Sequence, residues 1–233
     1  MLTASGPPAP RTGEPAFPPS ALSDTPDAPA LAPLVPGEVR RILLCQLGRL
    51  GDLLLITPSI ELLARRFPGA GLHVLASEHA APLLAHNPRV ARVWPLRSGR
   101  HPLAPLGLLA RLALQNFDLV VDFQQLRACR WAVALSGARL RLSFPPPPRF
   151  RRLYTHVTSP PEGYPAMAKA GLLAPLGITW AGERPRLYLS EVEHAAAASL
   201  LRSLGAWKEG LARRLVTVDP AHPWRTKQWP PEH

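Results

Sequence analysis

A chain of 233 residues with 46% hydrophobic composition has room for one or two globular domains and a sizeable core. No apolar run approaches the roughly 18 residues of a membrane span, the N-terminus lacks a basic segment followed by an apolar one, and Cys45 and Cys129 have neither disulfide-framework nor metal-ligand spacing. A membrane-spanning chain, a secreted disulfide scaffold and a zinc or iron–sulfur module are thereby set aside, and a soluble cytoplasmic protein is expected. The net charge of +11 points to an acidic partner, although arginine outnumbers lysine 24 to 3, which makes coding bias a competing cause.

Ten of the 30 prolines fall in residues 1–37, where Phe17 is the single aromatic, so this Ala/Pro/Ser stretch is expected to be disordered. Arg40 to Gln46, with the apolar core Ile42-Leu43-Leu44-Cys45, reads as a strand buried on both faces. A turn with two glycines, Gly48 and Gly51, follows, and from Leu53 to Arg66 the apolar spacing becomes helical, with positive charge in the last turn. Strand, glycine turn and helix are the parts from which open parallel sheets build anion sites. Asp52 is placed either as the N-cap of that helix or as a carboxylate aimed at a bound hydroxyl.

Strand and helix then alternate: strand Leu72–Ala76, a short helix His79–His86, strand Val90–Leu96, a helical stretch Leu103–Gln115, strand Phe117–Asp122, helix Arg127–Leu135 and strand Ala138–Leu142. The proline run 145–148 after Phe144 demands an exposed, extended loop. Residues 123–161 contain seven arginines and no acidic residue, a pattern equally suited to a phosphate-facing patch and to a solvated face. Tyr164–Leu176 reads as a helix closed by Gly177, Arg184–Leu189 as an extended link, and Glu191–Leu204 as a helix capped by Ser190 and closed by Gly205. Arg214–Val218 reads as a new buried strand leading into the loop 219–230. A parallel strand needs a crossover and a neighbour, so a second α/β domain cut short at His233 is the expectation, and with it an incomplete fragment not expected to catalyse by itself.

Four segments, ILLCQLGRLGDLLLITPSIELLARRFPGA, FDLVVDFQQLRACRWAVALSGARLRLSF, His156 with the helix ending LAPLGI, and VTVDPAHPWRTKQWPPE, resemble in that order the glycosyltransferase family 9 heptosyltransferases. The resemblance covers residues 40–233. It implies an α/β protein of GT-B type, with residues 38–185 as a complete Rossmann-like acceptor-side domain and 186–233 as linker, helix and truncated start of a donor-binding domain. It also implies inverting, metal-independent transfer of a sugar, without a cofactor, from a nucleotide-activated donor such as ADP-heptose to an anionic glycolipid acceptor of the lipopolysaccharide core. Peripheral contact with the inner membrane surface is expected, and nucleic acid is not a partner. Residue by residue, Asp52 matches the aspartate of the family's Gly-Asp pair and takes the role of general base. Lys227 matches the lysine before the Trp-Pro pair, and with Thr226, Gly48 and Gly51 would hold the donor phosphates. Gln124, Arg139, Arg141 and His156 fall to the acceptor.

Pro220-Ala221 stands where the family usually has Pro-Gly. A non-catalytic, acceptor-binding or scaffold remnant is the alternative, although an apolar 215–218 strand and two tryptophans suit a module standing alone poorly. A nicotinamide-dependent enzyme is disfavoured, because the first turn lacks G-x-G-x-x-G and Glu78 lies just past the place for a ribose-binding acid.

Overall fold

The computed structural model describes residues 36–97 and 106–205. The expected disordered segment up to residue 35, the strand Arg214–Val218, and Thr226 and Lys227 lie outside the described residues. Six strands, β1 (Arg41–Gln46), β2 (Gly71–Ser77), β3 (Val90–Leu96), β4 (Leu119–Asp122), β5 (Leu140–Ser143) and β6 (His156–Val157), form one parallel sheet in the order β3-β2-β1-β4-β5-β6. This is the doubly wound order in which the chain leaves β1 in one direction, then returns beside it through β4 to build outward the other way. β1 is fully buried from Ile42 to Gln46, which accounts for an apolar run in place of strict alternation.

Helices cover both faces. On one side α1 (Leu50–Leu54), α2 (Thr57–Arg66) and α5 (Pro165–Gly171) enclose a core that includes Ile42, Leu44, Ile60, Leu63, Val121 and Leu142. On the other, α3 (Leu106–Ala113) and α4 (Arg127–Leu135) pack over Leu43, Cys45, Val120 and Trp94. Both cysteines are buried here, and the Cys129 hydrogen bond together with burial pushes the Cys45 thiol well up, as befits packing groups rather than ligands. The final helix, α6 (Glu191–Ser203), opens with the predicted cap: Ser190 Oγ accepts from the Glu193 N–H at 3.2 Å, while Glu193 reaches back to the Ser190 N–H at 2.7 Å.

Several elements differ from expectation for identifiable reasons. The helix expected over 53–66 is two helices, because Pro58 has no N–H to give to Leu54 and its ring would crowd that carbonyl; the Thr57 hydroxyl bonds the Leu54 carbonyl instead, at 2.7 Å. Helix α1 begins before Gly51, so Asp52 lies within its turn and the N-cap position belongs to Arg49. The short helix expected at 79–86 is a 3-10 turn, Ala81–Leu84. Tyr164–Leu176 is likewise divided into α5 and a 3-10 turn, Ala174–Leu176, which Gly177 does end in a left-handed conformation (φ 69°). The proline run gives way to a 3-10 turn at Pro148–Leu153, and β6 is an edge strand without counterpart in the sequence reading. No helix among the described residues is long and apolar enough to cross a membrane.

Candidate active site

Between β1 and β4 the order in which strands are added reverses, so the connections leave these strands toward opposite faces and a crevice forms beyond their carboxyl ends. Gln46 and Asp122 are the last residues of these strands. The two loops are tied together where Gln124 Oε1 accepts the Leu47 N–H at 2.7 Å. Asp122 builds the second loop: its Oδ1 accepts the N–H groups of Gln124 (3.1 Å) and Gln125 (2.8 Å), and its Oδ2 accepts the Tyr154 hydroxyl (2.7 Å). This closed turn holds Gln125 in a left-handed conformation (φ 56°), from which its amide bonds Ser143 Oγ and the Phe144 carbonyl. Gln124 is thereby presented to the crevice.

Gly48 sits at the meeting point of the polar side chains. A Cβ there would lie 2.2 Å from Gln124 Nε2, 2.8 Å from Asp52 Oδ2 and 3.0 Å from Gln46 Nε2. Its φ is not positive, so the requirement for glycine is one of space and not of backbone conformation. Gly51, by contrast, is exposed and has nothing within 4 Å of a would-be Cβ. The two therefore separate experimentally: Gly48→Ala is expected to displace the Asp52 and Gln124 side chains and to weaken ligand binding. Gly51→Ala is expected to raise helix stability by about 0.5–1 kcal/mol. Thermal unfolding and ligand titration of both variants check this.

The sequence reading missed Gln46 and Lys169. Gln46 is fully buried. Lys169, on α5, donates to Gln46 Oε1 at 3.0 Å, and its ammonium lies 5.8 Å from the Phe123 ring centre. Burial lowers the lysine's proton affinity, and the neighbouring Asp52 carboxylate restores part of it. Two signals were available: a glutamine ending an apolar strand, and a rare lysine in a chain whose cations are nearly all arginine.

Gly48, Asp52 and Gln124 are thus gathered at one mouth, with Gln46 and Lys169 behind them. Other expected residues are not. Arg139 precedes β5 and so lies at the opposite, amino-terminal edge of the sheet. Arg141 donates to the carbonyls of Leu153 (2.6 Å) and Ala138 (2.7 Å), fastening the 3-10 turn to the sheet rather than facing an acceptor. Arg130 and Arg151 likewise bond the carbonyls of Gln125 and Tyr154, so part of the basic stretch is structural. His156 is buried on β6, beyond β4 and β5, with Nδ1 3.0 Å from Thr155 Oγ1. At about 4.8 Å per strand, three steps separate it from β1 by roughly 14 Å. Among the described residues no group of three or more His, Cys, Asp or Glu is placed to hold a metal ion.

A cavity of about 490 Å³ lies elsewhere, between α2 and the segment 181–188. Its wall is an ion-pair network in which Glu61 meets Arg65 and Arg89, each at 3.1 Å, and Arg65 meets Glu183 at 3.3 Å. The Arg186 N–H bonds Thr57 Oγ1 at 3.0 Å. These contacts fasten the linker to α2.

No protein-family model matches the sequence. The chain is 26% identical over 137 residues to lipopolysaccharide heptosyltransferase 3 of Escherichia coli, covering 55% of this chain and 40% of that protein. It thus spans about two fifths of that relative's length. Among solved structures it resembles the glycosyl transferase family 9 protein of Veillonella parvula, with a TM-score of 0.62 at 19% identity, covering 73% of this chain and 51% of that one. It also resembles the ADP-heptose lps heptosyltransferase II of Escherichia coli, with a TM-score of 0.54 at 18% identity, covering 69% and 50%. At such identities the structures speak for the fold, a six-stranded parallel α/β sheet of the kind found in GT-B enzymes, and the sequence relative adds a likeness over a little more than half of the chain. The chain is accordingly similar in sequence to a lipopolysaccharide heptosyltransferase and in fold to glycosyltransferase family 9 structures.

Proposed function

We propose that this chain supplies the acceptor side of an inverting, metal-independent transferase that moves a heptose from ADP-heptose to a lipopolysaccharide core or related cell-envelope acceptor. The observation that carries the reading is the Asp52 carboxylate at the switch-point mouth, flanked across Gly48 by the amides of Gln46 and Gln124. In this reading Asp52 takes the proton of the acceptor hydroxyl as its oxygen attacks the anomeric carbon. The bond from that carbon to the diphosphate breaks on the opposite face, and the configuration inverts. Lys227 would neutralise the departing diphosphate and Thr226 would donate a hydrogen bond to it, roles that follow from the motif resemblance. Gly48 and Gly51 would let the first loop lie close to the donor. The work would be done in the cytoplasm, at the inner surface of the membrane that carries the acceptor.

The test is release of ADP from ADP-heptose, in the presence of a heptose-deficient lipopolysaccharide acceptor, by the transferase of which this chain is the acceptor side. Release that depends on acceptor is expected. Acceptor binding without release would favour a binding-only module, and neither binding nor release would remove the proposal.

A further inference from the structure

We propose that Lys169 is a positioning residue, which through the side-chain amide of Gln46 fixes the Asp52 carboxylate at the mouth and leaves one of its oxygens for the acceptor hydroxyl. The inference rests on Asp52 being the base. Its starting point is the orientation of Gln46. An ammonium can only donate, so the Gln46 oxygen must be the atom that faces Lys169 at 3.0 Å. The amide nitrogen is then turned away from Lys169. It is fully buried, and it has no hydrogen-bond partner among the described residues.

A buried donor without an acceptor bears the full desolvation of its N–H groups, so a nearby acceptor that can move toward it will do so. Such an acceptor is at hand. Gln46 Nε2 and Asp52 Oδ2 lie 3.0 and 2.8 Å from the same point above Gly48, and only the missing side chain of that glycine leaves the path between them open. Rotation of the short Asp52 side chain between staggered wells brings oxygen to nitrogen. Gln124 Nε2, 2.2 Å from that point, offers a donor on the other flank. The lysine itself stands behind Gln46 on α5, whose Ala166 and Ala170 are buried, with its ammonium 5.8 Å from the Phe123 ring centre. Its positive charge, transmitted through a polarised amide, strengthens the N–H donated to Asp52.

The experiment combines structure and rate. Three-bond couplings that report the Asp52 χ1 rotamer are measured in the whole chain, labelled at aspartate, for the wild type, Lys169→Met, Lys169→Arg and the isosteric Gln46→Glu. Acceptor-dependent transfer is measured for the same set, with Asp52→Asn alongside. Expected are a single rotamer in the wild type, averaged couplings in Lys169→Met and Gln46→Glu, and partial restoration in Lys169→Arg. In the two disrupted variants kcat should fall by about ten- to a hundred-fold with KM unchanged, as for a slightly misplaced catalytic group. Unchanged couplings in both disrupted variants would overturn the proposal, as would a raised KM at constant kcat, which would make Lys169 a direct acceptor ligand. If Asp52→Asn still transfers, the base reading falls, while averaged couplings in Lys169→Met would still establish the contact.

Discussion

Asp52→Asn is expected to slow transfer by about 10²- to 10⁴-fold, the usual contribution of a positioned general base, and to leave the unfolding transition where it was. Both halves of this expectation follow from where the side chain sits. Asp52 lies within the single turn of α1, is only half-buried, and does not cap the helix. The fold therefore has little need of it. Asparagine keeps the shape of the side chain and can still accept a bond from Gln46 or Gln124, but it cannot take a proton from an attacking hydroxyl. The loss should therefore appear in kcat, with KM for the acceptor little changed. A variant that transfers normally would leave Asp52 a surface carboxylate and the proposed mechanism without its base.

The second large effect concerns stability. Asp122→Ala is expected to destabilise the domain by about 3–5 kcal/mol, as removal of one partner from a buried charged network does. Two backbone N–H groups and the Tyr154 hydroxyl would lose their shared acceptor, and the left-handed Gln125 would lose the turn that holds it. Asp122→Asn should cost far less, because its oxygen can still take both N–H groups and the Tyr154 oxygen can turn to accept from its nitrogen. The same residue carries a pH signature. Burial raises the Asp122 carboxyl above its ordinary value of 3.8, and bonds from Tyr154, Gln125 and Gln124, with the charge of Arg130, offset part of that rise. The folded protein thus holds this proton more tightly than the unfolded chain. Its favourable contribution is complete below the ordinary carboxylate range and is lost as pH rises through the raised folded value. The Asn variant has no such dependence, so its stability relative to the wild type should improve from acid toward neutral pH. Denaturant unfolding of both proteins across that range measures the difference directly.

The layout of the sheet was readable because its strands are buried on both faces: β1 and β4 are short, continuous apolar runs, and the strand–helix alternation forces parallel pairing. What escaped the reading lay in single prolines and in contacts between distant residues. Pro58 divides a segment whose apolar spacing runs on unbroken, and β6 is only two residues long beside a proline-rich stretch. Gly48 was identified, but for freedom of approach, whereas the three side chains crowded around it set its requirement. The bond between Gln46 and Lys169 spans 123 residues of sequence, which no local pattern reports. Arg141 is given to the acceptor by the resemblance, while its guanidinium bonds the backbone carbonyls of Leu153 and Ala138, contacts that leave no mark on a sequence. Asp52 and Gln124, in contrast, follow strand ends at the switch point, a position fixed by the strand order itself.

Whether the acceptor enters the β1–β4 mouth is read out by chemical-shift mapping of the chain with a soluble acceptor fragment. Perturbations are expected to centre on residues 46–52, on Gln124 and on the Lys169 ammonium, with the cavity beside α2 little affected. Perturbations centred on Glu61, Arg65 and residues 181–188, with the mouth unmoved, would contradict that expectation and place acceptor recognition in the linker cavity.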